Sequence, residues 1–127
     1  MKFVRYWVPV VIWMTVIFFL SGREGVQVAD EPLVNFLFFK TLHVIEYAIL
    51  FVLYYRALKN KTAALLLTLL YAATDEIHQL FVPTREGRLR DVIIDAIGAG
   101  VSWILITHLL PRAPKKLRAL AKSLEIM

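Results

Sequence analysis

Residues 33–58, LVNFLFFKTLHVIEYAILFVLYYRAL, decide the fold class of this chain. The stretch carries Lys40, His43 and Glu46 in its first half and no further charge until Arg56. A helix of about 20 apolar residues crosses the bilayer core of about 30 Å, and this run is longer than that. The stretch therefore predicts a membrane helix whose ionisable side chains gather near one end.

Three more apolar runs accompany this one, at residues 3–20, 62–82 and 91–110. Hydrophobic residues make up 59% of the 127-residue chain, whereas they make up about 45–50% of a soluble domain. A soluble protein of this size could not bury four such runs in one core. We therefore predict an all-α membrane protein, a four-transmembrane-helix bundle that forms a single domain over residues 1–127 and has a basic tail over residues 111–127.

Two other interpretations of the apolar and basic segments are weaker. The first run could be a signal peptide, but residues 21–24, Ser-Gly-Arg-Glu, lack the small-residue cleavage pattern, so we expect it to stay as a helix. The basic residues could bind nucleic acid, but they flank the apolar runs, where membrane orientation explains them. The chain has no cysteine, which excludes disulfides and thiolate chemistry.

The distribution of basic residues between the loops predicts the orientation of the bundle. Cytoplasmic segments of membrane proteins carry an excess of Lys and Arg. With the N-terminus inside, the outer segments hold Arg23, Arg85, Arg88 and Arg90, of which the last three oppose the rule locally. The inner segments hold Lys2, Arg5, Arg56, Lys59, Lys61, Arg112, Lys115, Lys116, Arg118 and Lys122. We therefore predict that both termini are cytoplasmic and that the outer arginines have a role where they are.

The basic tail has the pattern of an amphipathic helix. Its apolar residues recur at helical spacing and lie opposite its basic residues, which is typical of a helix that lies in the membrane interface. The apolar set is Leu117, Leu120, Ala121 and Leu124, and the basic set is Lys116, Arg118 and Lys122. A frayed, solvated tail is an equally good interpretation of a terminal segment.

Polar residues gather on three of the predicted helices, at the ends that this orientation places outside. Spacings of three and four residues put most of them on shared helix faces, whereas Glu76 points about 100° away from Asp75. Charges inside a membrane are costly and usually functional, although a structural ion-pair network is the competing explanation. The predicted catalytic residues are His43, Asp75, Glu76, His78 and Asp95, and the predicted substrate-binding residues are Lys40, Tyr47, Gln79, Arg85 and Asp91.

These residue types suit acid–base chemistry on an anion. His43 and His78 are candidate general bases, because a neutral imidazole accepts a proton near pH 7. Arg85, with Arg88 as a second candidate, would clamp a phosphate or carboxylate, and Lys40 would neutralise a second anionic group. No cofactor is predicted; a divalent metal held by the histidines and carboxylates stays an alternative, although no distinctive ligand motif is present. The candidate proton donors are Glu46, Asp75, Glu76 and Asp95.

The chain carries three spaced motifs: Lys40-x-x-His43-x-x-x-Tyr47, Asp75-Glu76-x-x-Gln79-x-Phe81-x-Pro83-x-Arg85 and Asp91-x-x-x-Asp95-x-x-Gly98. Together they resemble the motifs of the VanZ-like family of small bacterial integral membrane proteins. The resemblance covers nearly the whole chain, from residues 18–21 through the last predicted helix. Asp95 stands where the family commonly has Asn, Thr84 where it has Gly, and Ser102 where a further Gly is usual.

The resemblance implies a multi-pass protein of the bacterial cytoplasmic membrane that acts at the cell envelope, with a link to resistance against the glycopeptide teicoplanin. Three functions compete. The first is an enzyme, a hydrolase or transferase acting on a lipid-linked or peptidoglycan-related anionic substrate. The second is a non-catalytic protein that binds an envelope precursor or another amphipathic ligand among the membrane lipids. The third is a small transporter, which the lack of an internal repeat disfavours. The oligomeric state stays open.

Overall fold

The described residues of this chain fold entirely into helices and connecting turns. The structure is a computed structural model that describes residues 1–23, 27–83 and 88–127. Within those ranges there is no strand, which confirms the predicted all-α class. The helices are α1 (Lys2–Ser21), α2 (Pro32–Leu58), α3 (Lys61–Gln79), α4 (Leu89–Ile104) and α5 (Lys115–Ser123), and α4 continues as a π-helical turn (Leu105–Leu109) and a 3-10 turn (Leu110–Arg112).

The end of α3 differs from the sequence prediction. The predicted helix extends to Val82, but the α-helix ends at Gln79 and the next residues form a tighter turn. In that turn the amides of Phe81 and Val82 donate to the carbonyls three residues back, at 3.0 and 3.1 Å. Pro83 follows, and a proline disfavours helical backbone in the residue before it. The α-helix therefore gives way before the last predicted turn.

Within the part of the chain that the structure describes, three helices are long and apolar enough to cross a membrane. They are Lys2–Ser21, Pro32–Leu58 and Leu89–Arg112, with 20, 27 and 24 residues. α3 does not meet the same criterion, because the polar residues of its last two turns lower its mean hydropathy. The four-span count therefore stays a prediction, whereas the membrane character of the chain has direct support from these three helices.

The exposed surface of the bundle is apolar, as a lipid-facing surface would be. α2 is the central helix, in contact with α1, α3 and α4. Its Tyr47, Leu50 and Phe51 are fully buried and form the middle of the core. Soluble monomers rarely expose large continuous apolar patches. The exposed large side chains include Val11, Phe19, Leu37, Leu66, Leu70, Ile77, Ile93 and Ile104.

α2 and α4 approach each other closely at Gly98. A Cβ atom placed on residue 98 would lie 2.3 Å from the carbonyl oxygen of Val44, which is far inside van der Waals contact. One turn further along, the Ser102 hydroxyl donates to the carbonyl of Ala48 at 2.9 Å. Small residues allow such close helix packing in membranes. The contact fixes the separation of the two helices that carry most of the predicted site.

We expect Gly98→Ala to destabilise the protein by about 1–3 kcal/mol, because the added methyl group would push α2 away from α4. The measurement is the unfolding of the purified protein in a mild detergent, followed by circular dichroism.

Gly100→Ala is the matched control, since nothing lies within 4 Å of a Cβ atom at residue 100. We expect it to leave the stability unchanged or to raise it by up to about 1 kcal/mol, because alanine favours a helix more than glycine does. Equal transitions for the two variants would contradict the close contact at Gly98.

Candidate functional site

Most of the buried polar side chains among the described residues lie at one end of the bundle. This polar end is the end at which α1 and α3 finish and α2 and α4 begin. Buried charged and polar groups need partners, because losing hydration without compensation is costly. Their hydrogen bonds therefore define how the site is built. The buried set at this end is Ser21, His43, Glu46, Asp75, Glu76, Gln79, Asp91 and Asp95.

A histidine–carboxylate pair joins α2 and α4 inside the polar end. The Nδ1 atom of His43 lies 2.9 Å from Oδ1 of Asp95, and Asp95 is completely buried. The second carboxylate oxygen of Asp95, Oδ2, has no hydrogen-bond partner among the described residues. Few buried polar atoms in native proteins are unsatisfied, and those that are need an explanation such as a water or a ligand. The pair therefore has hydrogen-bonding capacity left for a further group.

The carboxylate of Asp75 ties three helices together. Oδ1 accepts a hydrogen bond from the Ser21 hydroxyl of α1 at 2.5 Å. Oδ2 accepts from the Tyr47 hydroxyl of α2 at 3.1 Å and from the Gln79 amide of α3 at 3.4 Å. Both oxygens of this buried carboxylate are thus engaged by neutral donors. Asp75 therefore holds the ends of α1 and α3 against α2.

A second ion pair lies nearer the surface of the polar end. The Lys40 ammonium group donates to Oδ1 of Asp91, and Nε of Arg90 lies 3.8 Å from the same oxygen. Both cations also lie over the ring of Phe36, with Lys40 Nζ 5.7 Å and the Arg90 guanidinium carbon 5.2 Å from its centre. This cluster therefore holds two cations around one carboxylate.

Two predicted catalytic residues lie away from the His43–Asp95 pair. Glu76 accepts the backbone N–H of Arg88 at 3.0 Å, so it points to the start of α4. The ring of His78 stacks on Phe18 with a centroid distance of 4.0 Å. His78 Nδ1 lies 4.0 Å from Asp75 Oδ1, which is too long for a hydrogen bond. Glu76 and His78 therefore contact Arg88 and Phe18, respectively, and lie apart from the His43–Asp95 pair.

A cavity of about 300 Å³ opens between the end of α1 and the first half of α2. Its walls are mainly apolar and aromatic, whereas His43 and Glu46 give it a polar surface next to the buried pair. Ligand sites typically combine apolar walls with a few convergent polar groups. The cavity therefore suits a ligand that has both an apolar and a polar part. The lining residues are Leu20, Ser21, Arg23, Val28, Phe38, Phe39, Leu42, His43 and Glu46.

A sequence model of the family described as VanZ/LLP1 matches residues 6–110 of this chain, which include nearly all of α1 and the whole of α2, α3 and α4. The chain belongs to the VanZ/LLP1 family. The resemblance expected from the sequence motifs is thereby confirmed. Comparisons with curated proteins and with solved structures give no match.

The structure of this VanZ/LLP1 chain assembles part of the predicted site and adds to it. Ser21 was missed, because it stands at the end of an apolar run and carries no charge. Its spacing of four residues from buried Ile17 is the signal that could have placed it inside the bundle. Glu46 was considered only as an alternative acid, and the structure places it at the cavity. Arg85, predicted to bind substrate, lies outside the described residues.

The described residues provide no obvious metal centre. Within residues 1–23, 27–83 and 88–127, no group of three or more His, Asp or Glu side chains is arranged to hold a metal ion. His43 and Glu46 both line the cavity, but they are one turn apart on the same helix and form no larger cluster.

We expect Tyr47→Phe to lower the free energy of unfolding by about 1–3 kcal/mol, because it removes a donor from a buried carboxylate. Unfolding of the purified protein in detergent measures the change.

Tyr54→Phe provides the comparison, since that hydroxyl donates to the sulfur of Met14 at 3.3 Å, and a thioether is a weak acceptor. We expect its effect to be clearly smaller. A Tyr47→Phe protein as stable as the parent would show that the hydroxyl contributes little to holding Asp75.

Proposed function

We propose that this VanZ/LLP1 protein acts on a lipid-linked or peptidoglycan-related anionic substrate at the bacterial cell envelope. One observation carries the proposal: His43, paired with the buried Asp95 at 2.9 Å, also lines the apolar-walled cavity. A histidine oriented by a buried carboxylate and facing a cavity is a recurring arrangement for general base catalysis. A structural ion pair would have no need of the cavity.

The chemistry follows from the orientation of the imidazole. In the proposed tautomer, His43 carries its proton on Nδ1 and donates it to Asp95, which leaves Nε2 as the basic nitrogen. Nε2 takes a proton from a water or hydroxyl nucleophile as its oxygen bonds to the phosphorus or carbonyl carbon of the substrate. The bond to the leaving group breaks with its electron pair, and His43 returns the proton to that group. The buried carboxylate stabilises the imidazolium in between.

The walls and the rim of the cavity support a substrate that is both lipid-linked and anionic. Phe38, Phe39 and Leu42 would lie against an apolar chain. Arg23 also lines the cavity, and a guanidinium group binds phosphate or carboxylate through two parallel hydrogen bonds. We propose that Arg85, which follows α3 in the sequence, adds a second such contact. A link to teicoplanin resistance would follow if the substrate is a precursor that this glycopeptide engages.

We also propose that four helices cross the cytoplasmic membrane, with both termini inside and the polar end outside. The excess of basic residues on the inner segments supports this orientation. α3 contacts α2 and α4, so its polar last turns can face protein and not lipid. A lipid substrate would then reach the cavity from the outer leaflet.

The proposed topology predicts that a single cysteine in place of Gly87 is labelled by a membrane-impermeant maleimide in intact cells. The native chain has no cysteine, so the introduced thiol is the sole target. Ser123→Cys on the tail is the control, which we expect to react after permeabilisation only. Labelling of position 87 after permeabilisation only would place the polar end in the cytoplasm.

We expect His43→Gln to lower the activity at least about 100-fold, which is the lower range for losing a general base. The substrate is first identified by comparing the envelope lipids and precursors of cells with and without the protein, since the substrate should accumulate when the protein is absent. The turnover of that substrate and the teicoplanin susceptibility of the cells are then measured for each variant.

His108→Gln is the matched control, because His108 lies in the π-helical turn after α4, far along the chain from the polar end. Both variants should accumulate as folded protein in the membrane. Full activity of His43→Gln would reject the catalytic proposal. Loss of ligand capture in Arg85→Gln together with tolerance of His43→Gln would favour the non-catalytic binder.

A further inference from the structure

The end of the bundle opposite the polar end carries most of the positive charge. This basic end is formed where α1 and α3 begin, α2 finishes and α5 follows α4. Residues 1–5, 56–61 and 111–127 hold ten of the fifteen Lys and Arg residues, and Glu125 is their one acidic residue. Such a concentration next to membrane helices is typical of segments that contact anionic lipids.

The C-terminal helix α5 is fastened to the basic end. The guanidinium group of Arg5 lies 3.1 Å from the Glu125 carboxylate, and the Lys59 ammonium group donates to the Glu125 backbone carbonyl. Ala121 of α5 is buried, and Ile126, which follows the helix, packs against the core. These contacts join the tail to the first residues of α1 and the end of α2. α5 therefore has a fixed place and is more than a frayed terminus.

α5 presents two outward faces of opposite character. At about 100° per residue, the leucines at 117, 120 and 124 lie about 180° from the face that carries the basic side chains. These leucines are exposed by 53%, 55% and 47% with no protein covering them. On the other face, a shallow cavity of about 220 Å³ is lined by Lys115, Arg118, Ala119 and Lys122.

We propose that α5 binds anionic phospholipid headgroups, with the three cations of this shallow cavity around the phosphate and the leucines in the acyl region. Amphipathic helices lie in the interface in this way, with their apolar face buried and their Lys and Arg side chains at the headgroups. The long basic side chains reach the phosphate level while their stems cover apolar surface. The proposal is independent of the chemistry at the polar end.

Membrane orientation alone does not account for this arrangement. The positive-inside rule counts charges in a loop and places no demand on which face of a helix they occupy. Lys115, Arg118 and Lys122 are spaced by three and four residues, so they converge on one concave surface. Ala119 between them leaves room for a headgroup. Basic residues at the same end that lie off this surface, such as Lys2 and Arg112, provide the comparison.

The experiment uses the full chain in an uncharged detergent, with a Ser123→Cys substitution that carries an environment-sensitive fluorophore. Dioctanoyl phosphatidylglycerol is titrated in, and dioctanoyl phosphatidylcholine and inorganic phosphate are titrated separately. We expect saturable binding of phosphatidylglycerol that weakens as salt is added, and at least tenfold weaker binding of the other two. The proposal would be overturned if the two lipids bound with equal affinity, or if inorganic phosphate bound with the same affinity as phosphatidylglycerol.

The combined change Lys115→Gln, Arg118→Gln and Lys122→Gln is expected to weaken phosphatidylglycerol binding about 100-fold. The matched triple Lys2→Gln, Arg112→Gln and Lys116→Gln removes the same charge from the same end. We expect it to weaken phosphatidylglycerol binding about threefold or less. Equal losses in the two triples would mean that net charge acts and not the α5 surface. A further variant exchanges Lys for Arg and Arg for Lys at positions 115, 118 and 122, which keeps all three charges. We expect it to retain binding, which would show that the glutamine triple loses binding through its missing charges and not because substitutions at these positions unfold α5.

Discussion

Where α2 and α4 cross, the two backbones are too close for any side chain at residue 98. Because Gly98 brings the helices together, side chains on either side of it can meet across the gap without long reaches. The pairs follow one another along the crossing in register. From the polar end they are Lys40–Asp91, His43–Asp95, Val44–Gly98 and Ala48–Ser102. The His43–Asp95 pair thus depends on the absence of a side chain at Gly98, one turn after Asp95. A wider crossing of α2 and α4 would separate His43 from Asp95.

The sequence predicted the helices and the shared faces, because both follow from apolar run length and from spacings of three and four residues. It also predicted that Glu76 would face away from Asp75, which the structure confirms through the Arg88 amide. Which acid meets which base was not predictable. The partner of His43 depends on the rotation and depth of α4 relative to α2, and packing sets both. Ser21 escaped notice because an uncharged hydroxyl at a helix end resembles the start of a loop.

The two ends of the bundle divide the charges of the chain between them. At the polar end five of the described acids are buried, among them Asp75, whose oxygens accept from three neutral donors, whereas Asp30 and Glu31 are exposed. At the basic end the cations stay on the surface, and Glu125 is used to fasten α5. The same residue types therefore serve different purposes at the two ends. The buried acids form local hydrogen bonds, whereas the exposed cations produce an electrostatic potential that attracts an anionic surface.

The shortness of the connection between α2 and α3 has a consequence for how the protein enters the bilayer. α2 ends at Leu58 and α3 begins at Lys61, with Lys59 in a left-handed conformation and the Asn60 side chain capping α3. α3 is the least apolar of the four long helices, so its own transfer into lipid is the least favourable. In the proposed topology the hairpin turn ties it to the strongly apolar α2. α2 and α3 would then insert into the bilayer together as a helical hairpin, in which the favourable transfer of α2 offsets the less favourable transfer of α3.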